Sequence, residues 1–70
     1  MNTETIKITT DYINLDALLK LAALVGSGGE AKVRIQGGEV QLNGETCTMR
    51  HKKIRPGDTV RMADTLIRVE

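Results

Sequence analysis

The run Arg50-His51-Lys52-Lys53-Ile54-Arg55 places four permanent cations and a histidine in six consecutive positions, with no acid among them. Lysine and arginine at this density neutralise phosphates and release their counterions, and arginine can grip two phosphate oxygens at once. The chemistry they suggest is polyanion binding. Other reactive residue types stand alone. The single Cys47 has no partner for an internal disulfide, and His51 is the only histidine, so the two do not complete a zinc set. No nucleophile–base pair or pair of pocket carboxylates is visible, and the glycine-rich Gly26-Ser27-Gly28-Gly29 lacks the Gly-Lys-Ser/Thr ending of a Walker loop. The expectation is a non-catalytic protein without cofactor or metal.

Seventy residues make one domain, 1–70. Folding at this size hides only about 60% of the surface of the unfolded chain, which leaves little room for a deep active-site cavity. Tyr12 is the one aromatic residue, so Leu, Ile, Val and Ala must fill the core, and base-stacking platforms are lacking. Net charge is only +1, but it is segregated: the first nineteen residues hold three acids and one lysine. Residues 1–5 show no signal-peptide pattern, and the longest apolar stretch, 21–25, is far too short to span a bilayer. A reduced thiol, solubility, a cytoplasmic location and no membrane partner are expected.

The elements that must position the cations can be placed from local signals. Thr5 to Thr10 alternates with period two, which predicts a short edge strand. Asn14 is a good N-cap, and Leu15, Leu18, Leu19 and Ala22, widened by Leu21 and Val25, predict a first helix over about 15–24 that Gly26 ends. Asp16 and Lys20 would form an i,i+4 pair on its other side. Ser27 and Glu30 make a capping box for a second helix, with Ala31 and Ile35 buried, Lys32 and Gln36 on another flank, Arg34 beside Glu30, and Gly37-Gly38 as the stop. Val40 and Leu42 share one face of a strand, Asn43-Gly44 turns a hairpin, and the return strand includes Thr46 to Thr48. Arg55-Pro56-Gly57-Asp58 predicts a turn, followed by strands over 59–62 and 66–69. The fold class is α+β, with two packed helices and a small, mostly antiparallel sheet of four to five short strands.

Four elements in register carry a family resemblance: Leu15-Asp16-x-x-Leu19-Lys20, the Ala31-Lys32 pair, Gly38-x-Val40-x-x-Asn43-Gly44 and Lys53-x-x-Pro56-Gly57-Asp58. Together they resemble the RNA-binding domain named after ribosomal small-subunit protein S-four, the alpha-L motif, over about 15–60. The flanking strands are similar to the stand-alone YaaA/YbcJ-type subgroup. Asn14 and Gly28 stand where many members of the wider family carry arginine. That departure shifts the implied RNA contact toward Lys32 and the basic segment.

The resemblance implies non-catalytic binding of structured RNA, with ribosomal RNA or a ribosome-assembly intermediate first, tRNA second, and a ribosomal or assembly protein as a further partner in a bacterial cytoplasm. The implied RNA-binding residues are Lys20, Lys32, Gln36, Arg50, His51, Lys52, Lys53 and Arg55. Arg50 and Arg55 can contact phosphate bidentately, while Lys52 and Lys53 act as point charges. The alternative from another class is a protein-interaction adaptor on the same fold with little RNA affinity, which would use Val33 as an apolar contact.

Overall fold

A computed structural model describes residues 2–70; the single-domain reading over 1–70 thus includes one residue, Met1, outside the described set. Chain order is β1 (Asn2–Ile6), β2 (Ile13–Asn14), α1 (Leu15–Leu21), α2 (Gly28–Gln36), β3 (Val40–Leu42), β4 (Glu45–Thr46), β5 (Lys53–Ile54), β6 (Thr59–Met62) and β7 (Thr65–Val69). Five strands form a sheet in the order β1-β7-β6-β3-β4, and β2 pairs with β5 in a separate two-strand ribbon. The fold is α+β as expected, but among the described residues the strands number seven, in two sheets. The β1–β7 pair is parallel, from Asn2 opposite Thr65 to Ile6 opposite Val69, and the other pairings are antiparallel.

The helices show why local chemistry succeeds in one case and falls short in the other. In α2 the Ser27 hydroxyl accepts from the Glu30 N–H at 3.2 Å, and the Glu30 carboxylate reaches back to the Gly26 N–H at 2.7 Å, one residue before the cap itself. Gly38, at φ 81, ends α2 in the left-handed region; its N–H donates to the Ile35 carbonyl and that of Glu39 to the Arg34 carbonyl. The first helix ends by the same geometry three residues before Gly26. Ala23 takes φ 60, with Ala23 N–H on the Lys20 carbonyl and Leu24 N–H on the Leu19 carbonyl. A left-handed alanine costs about 1 kcal/mol or more. Packing of Leu24 against the core, and burial of Val25, offset that cost. Leu21, expected in the buried stripe, is 60% exposed.

Both helices share one apolar core with the inner face of the sheet. Leu15, Leu18, Leu19, Ala31, Ile35, Val40, Val60 and Ile67 are fully buried, and so is Ile54 from near the C-terminal end of the basic segment. Ala31 and Ile35 are the buried residues of α2, as the spacing requires. Two strands lie off their expected positions. Pairing with Thr65–Val69 draws β1 back to Asn2–Ile6, leaving Ile8 beyond the strand though still packed on the core. The return strand β4 is only Glu45–Thr46; Cys47 still donates its N–H to the Val40 carbonyl at 2.9 Å and packs against the core, and Thr48 lies beyond the strand. The turns match: Asn43 and Gly44 both take positive φ (51 and 88), and Gly57 takes φ 98.

A helix of nine residues with two glycines in its first turn is held by packing, not by its own propensity. Ile35→Ala should therefore cost about 2–5 kcal/mol, the usual range for truncating a buried isoleucine, measured as a loss in urea-unfolding free energy. An unchanged midpoint would place Ile35 outside the core.

Candidate functional site

The basic segment is fastened by its backbone, which leaves its charged ends in solvent. At the start of α1 the Leu15 N–H donates to the Lys52 carbonyl at 2.9 Å and the Asp16 N–H to the Arg50 carbonyl at 3.0 Å. These are among the orphan donors that every helix start must satisfy. Asn14 holds the N-cap position, but its side chain makes no capping bond. The basic segment supplies the cap in its place. Pairing of Ile13 with Ile54 and Asn14 with Lys53, and complete burial of Ile54, fix the same stretch from its other side. A turn inside it is closed by Lys52 N–H on the Met49 carbonyl at 3.1 Å.

The far end is tied to the hairpin. Asp58 accepts from the Arg55 N–H at 2.8 Å and from the Asn43 side-chain amide at 3.1 Å, and Asn43 Oδ1 in turn accepts from the Thr59 N–H at 2.9 Å. One asparagine and one aspartate thus lock the Asn43-Gly44 turn to the Pro56-Gly57 turn. The bond from the Arg55 N–H, aided by the Asn43 amide and the nearby Arg55 and Lys52 charges, holds the Asp58 carboxyl below its ordinary range against the opposing effect of partial burial.

Side chains sort into three groups on this frame. Lys52, Lys53 and Arg55 are exposed and line an open cleft of about 650 Å³, whose other wall runs from Glu45 to Met49. Lys53 Nζ also lies 4.9 Å from the centroid of the Tyr12 ring, close enough for a cation–π contact. Arg50 is half-buried, and the exposed His51 puts Nε2 3.6 Å from Asp16 Oδ2. Asp16 therefore faces the basic segment, and it forms no ion pair with Lys20 among the described residues. Lys20 on α1 and Lys32 and Gln36 on α2 are exposed but do not line the cleft. Gly28 opens onto free space, with nothing within 4 Å of where a side chain would begin.

Two features of this arrangement escape a reading by residue type. Asn43 and Asp58 read in the sequence only as turn residues and Thr46–Thr48 only as a return strand, so residue type does not indicate that the two turns bridge one another or that the strand end walls a cleft. Arg34 is bound to its own helix end: it reaches Glu39 at 2.8 Å and Glu30 at 3.8 Å, and the bond to Glu39 raises its pKa further. Arg61 and Arg68 alternate with buried Val60, Met62, Ile67 and Val69, so they lie on the outer face of the sheet. Among the described residues no three His, Cys, Asp or Glu side chains converge as a metal would require, and no helix is long and apolar enough to cross a membrane.

A family model described as "S4 domain" matches residues 6–70, a longer span than the four motifs alone. A Bacillus subtilis (strain 168) protein described as "Probable ribosome maturation protein RlbA" is 42% identical over 55 residues, which is 79% of this chain and 78% of that protein.

The bridge has a pH signature. Because the folded pKa of Asp58 is lowered, the unfolded chain takes up the proton first. The stability this carboxylate contributes is complete above the ordinary carboxylate value of about 3.9 and is lost as pH falls through the lower folded value. Asp58→Asn should be less stable than wild type near neutrality, since its amide would oppose that of Asn43. The gap between the two in urea unfolding should shrink as pH falls from about 6 toward about 2. A gap that stays constant would show that the Asp58 charge contributes nothing.

Proposed function

The chain belongs to the S4 domain family, and on that footing we propose that it is a single non-catalytic domain that binds structured RNA, first of all ribosomal RNA or a ribosome-assembly intermediate, in a bacterial cytoplasm. The observation that carries this is the docking of the Arg50 and Lys52 carbonyls on the start of α1. It holds the cations in place before any ligand arrives. A preformed surface spends little binding energy on ordering itself. The relative's description as a ribosome maturation protein supports a ribosomal setting, with tRNA as the second candidate.

Recognition would proceed through phosphates and shape. Lys52 and Lys53 act as point charges, Arg50 and Arg55 offer bidentate contacts, and His51 donates to phosphate when its position allows. Lys20, Lys32 and Gln36 extend the contact along the exposed sides of the helices. With one aromatic residue in the chain, stacking contributes little, and a net charge of +1 implies moderate affinity with clear salt dependence. No cofactor takes part. A second function, docking of a ribosomal or assembly protein with little RNA affinity, has its own support in Val33, 69% exposed on α2, and in exposed Leu21 on α1.

The two functions separate on one double variant. It is the Lys52 carbonyl, not its side chain, that caps α1, and Lys53 pairs with Asn14 through its backbone. Lys52→Ala/Lys53→Ala should therefore stay folded. Loss of two phosphate contacts should flatten the slope of log affinity against log salt by about 1.4–1.8. A folded double variant with unchanged affinity and slope would remove Lys52 and Lys53 from the RNA contact, and a wild-type protein with no salt-dependent affinity for ribosomal RNA would favour the adaptor.

A further inference from the structure

The cleft beside the basic segment has a composition that plain phosphate binding does not require. One wall carries Lys52, Lys53 and Arg55; the other is formed by Glu45 to Met49, where β4 is the edge strand of the five-stranded sheet. An edge strand presents backbone N–H and C=O groups on its outer side that no neighbouring strand takes up. Leu42, half-buried, and Met49, 64% exposed, contribute apolar surface to the lining. At about 650 Å³ the cleft lies within the size range of small-molecule sites and is open enough for a group still attached to a chain.

Resting on the RNA-binding reading above, we infer that this cleft receives one unpaired nucleotide of the bound RNA. Its phosphate lies against Lys52 and Arg55, and its base enters between Met49 and the edge of β4. A base in a continuous duplex keeps its hydrogen-bonding edge within the helix, whereas a bulged base can turn that edge toward a strand. Of the two acids that line the cleft, Asp58 has both carboxylate oxygens engaged, by the Arg55 N–H and the Asn43 amide. Glu45 makes no ion pair among the described residues. It is placed to repel phosphate from the β4 end and to accept from a base amino group. The cleft thus has a phosphate end and a base end.

The half-buried Cys47 lines this cleft and is the only cysteine of the chain, which provides a reporter without mutation. Two hairpin RNAs of identical stem, one fully paired and one carrying a single bulged adenosine, would be titrated by fluorescence anisotropy, and the alkylation of Cys47 by iodoacetamide followed with each at saturation. The bulged RNA should bind at least about tenfold tighter, the worth of one good base-edge contact. It should also slow alkylation several-fold more than the paired RNA does. Equal affinities, or equal effects on Cys47, would overturn the nucleotide site while leaving RNA binding intact. Binding of neither RNA, at low as well as moderate salt, would overturn RNA binding itself and the site with it.

Discussion

Two backbone hydrogen bonds organise the functional half of this molecule: Leu15 N–H to the Lys52 carbonyl and Asp16 N–H to the Arg50 carbonyl. A helix start leaves its first donors without intrahelical partners, and an unmet donor in a packed interior costs on the order of 1–3 kcal/mol. The leucine stripe of α1 buries the start of that helix, so the donors need partners from the protein. The basic segment provides them with main-chain oxygens. The side chains of His51, Lys52, Lys53 and Arg55 stay exposed, so the constraint that completes the helix leaves this charge on display.

The rest of the structure holds that segment at the right height. Ile54 lies fully buried between charged neighbours, so the segment is pinned near its C-terminal end by the core shared by the helices and the sheet. The Asn43–Asp58 bridge secures its end to the β3–β4 hairpin. Together these contacts connect α1, the ribbon of β2 and β5, and the sheet edge. The cleft is the space left where the hairpin and the basic segment approach without meeting.

What was legible in the sequence follows from where each piece of information resides. The Ser27–Glu30 cap, the stop at Gly37-Gly38 and the positive-φ turns at Asn43-Gly44 and Gly57 depend on chemistry within a few residues, and residue type alone indicates them. The left-handed Ala23, the shift of β1 to Asn2–Ile6 and the two-residue strands β2 and β5 depend on partners far along the chain. No alternation can be recognised in two residues. The candidate site divides in the same way: the cations of Arg50–Arg55 stand out in composition, but a basic run of this kind is most simply pictured as a free loop. Its rigidity arises from carbonyl groups, which every residue has and which no side-chain pattern records.

The central claim is that the cationic segment is ordered before it meets a ligand, and amide hydrogen exchange measured residue by residue in the free protein tests it most directly. The amides of Leu15 and Asp16, bonded to the Lys52 and Arg50 carbonyls, should exchange about as slowly as those of the sheet, and addition of RNA should alter them little. Free-protein exchange at the rate of an unstructured chain, with protection arising only when RNA is added, would contradict the account and make the segment one that folds on binding.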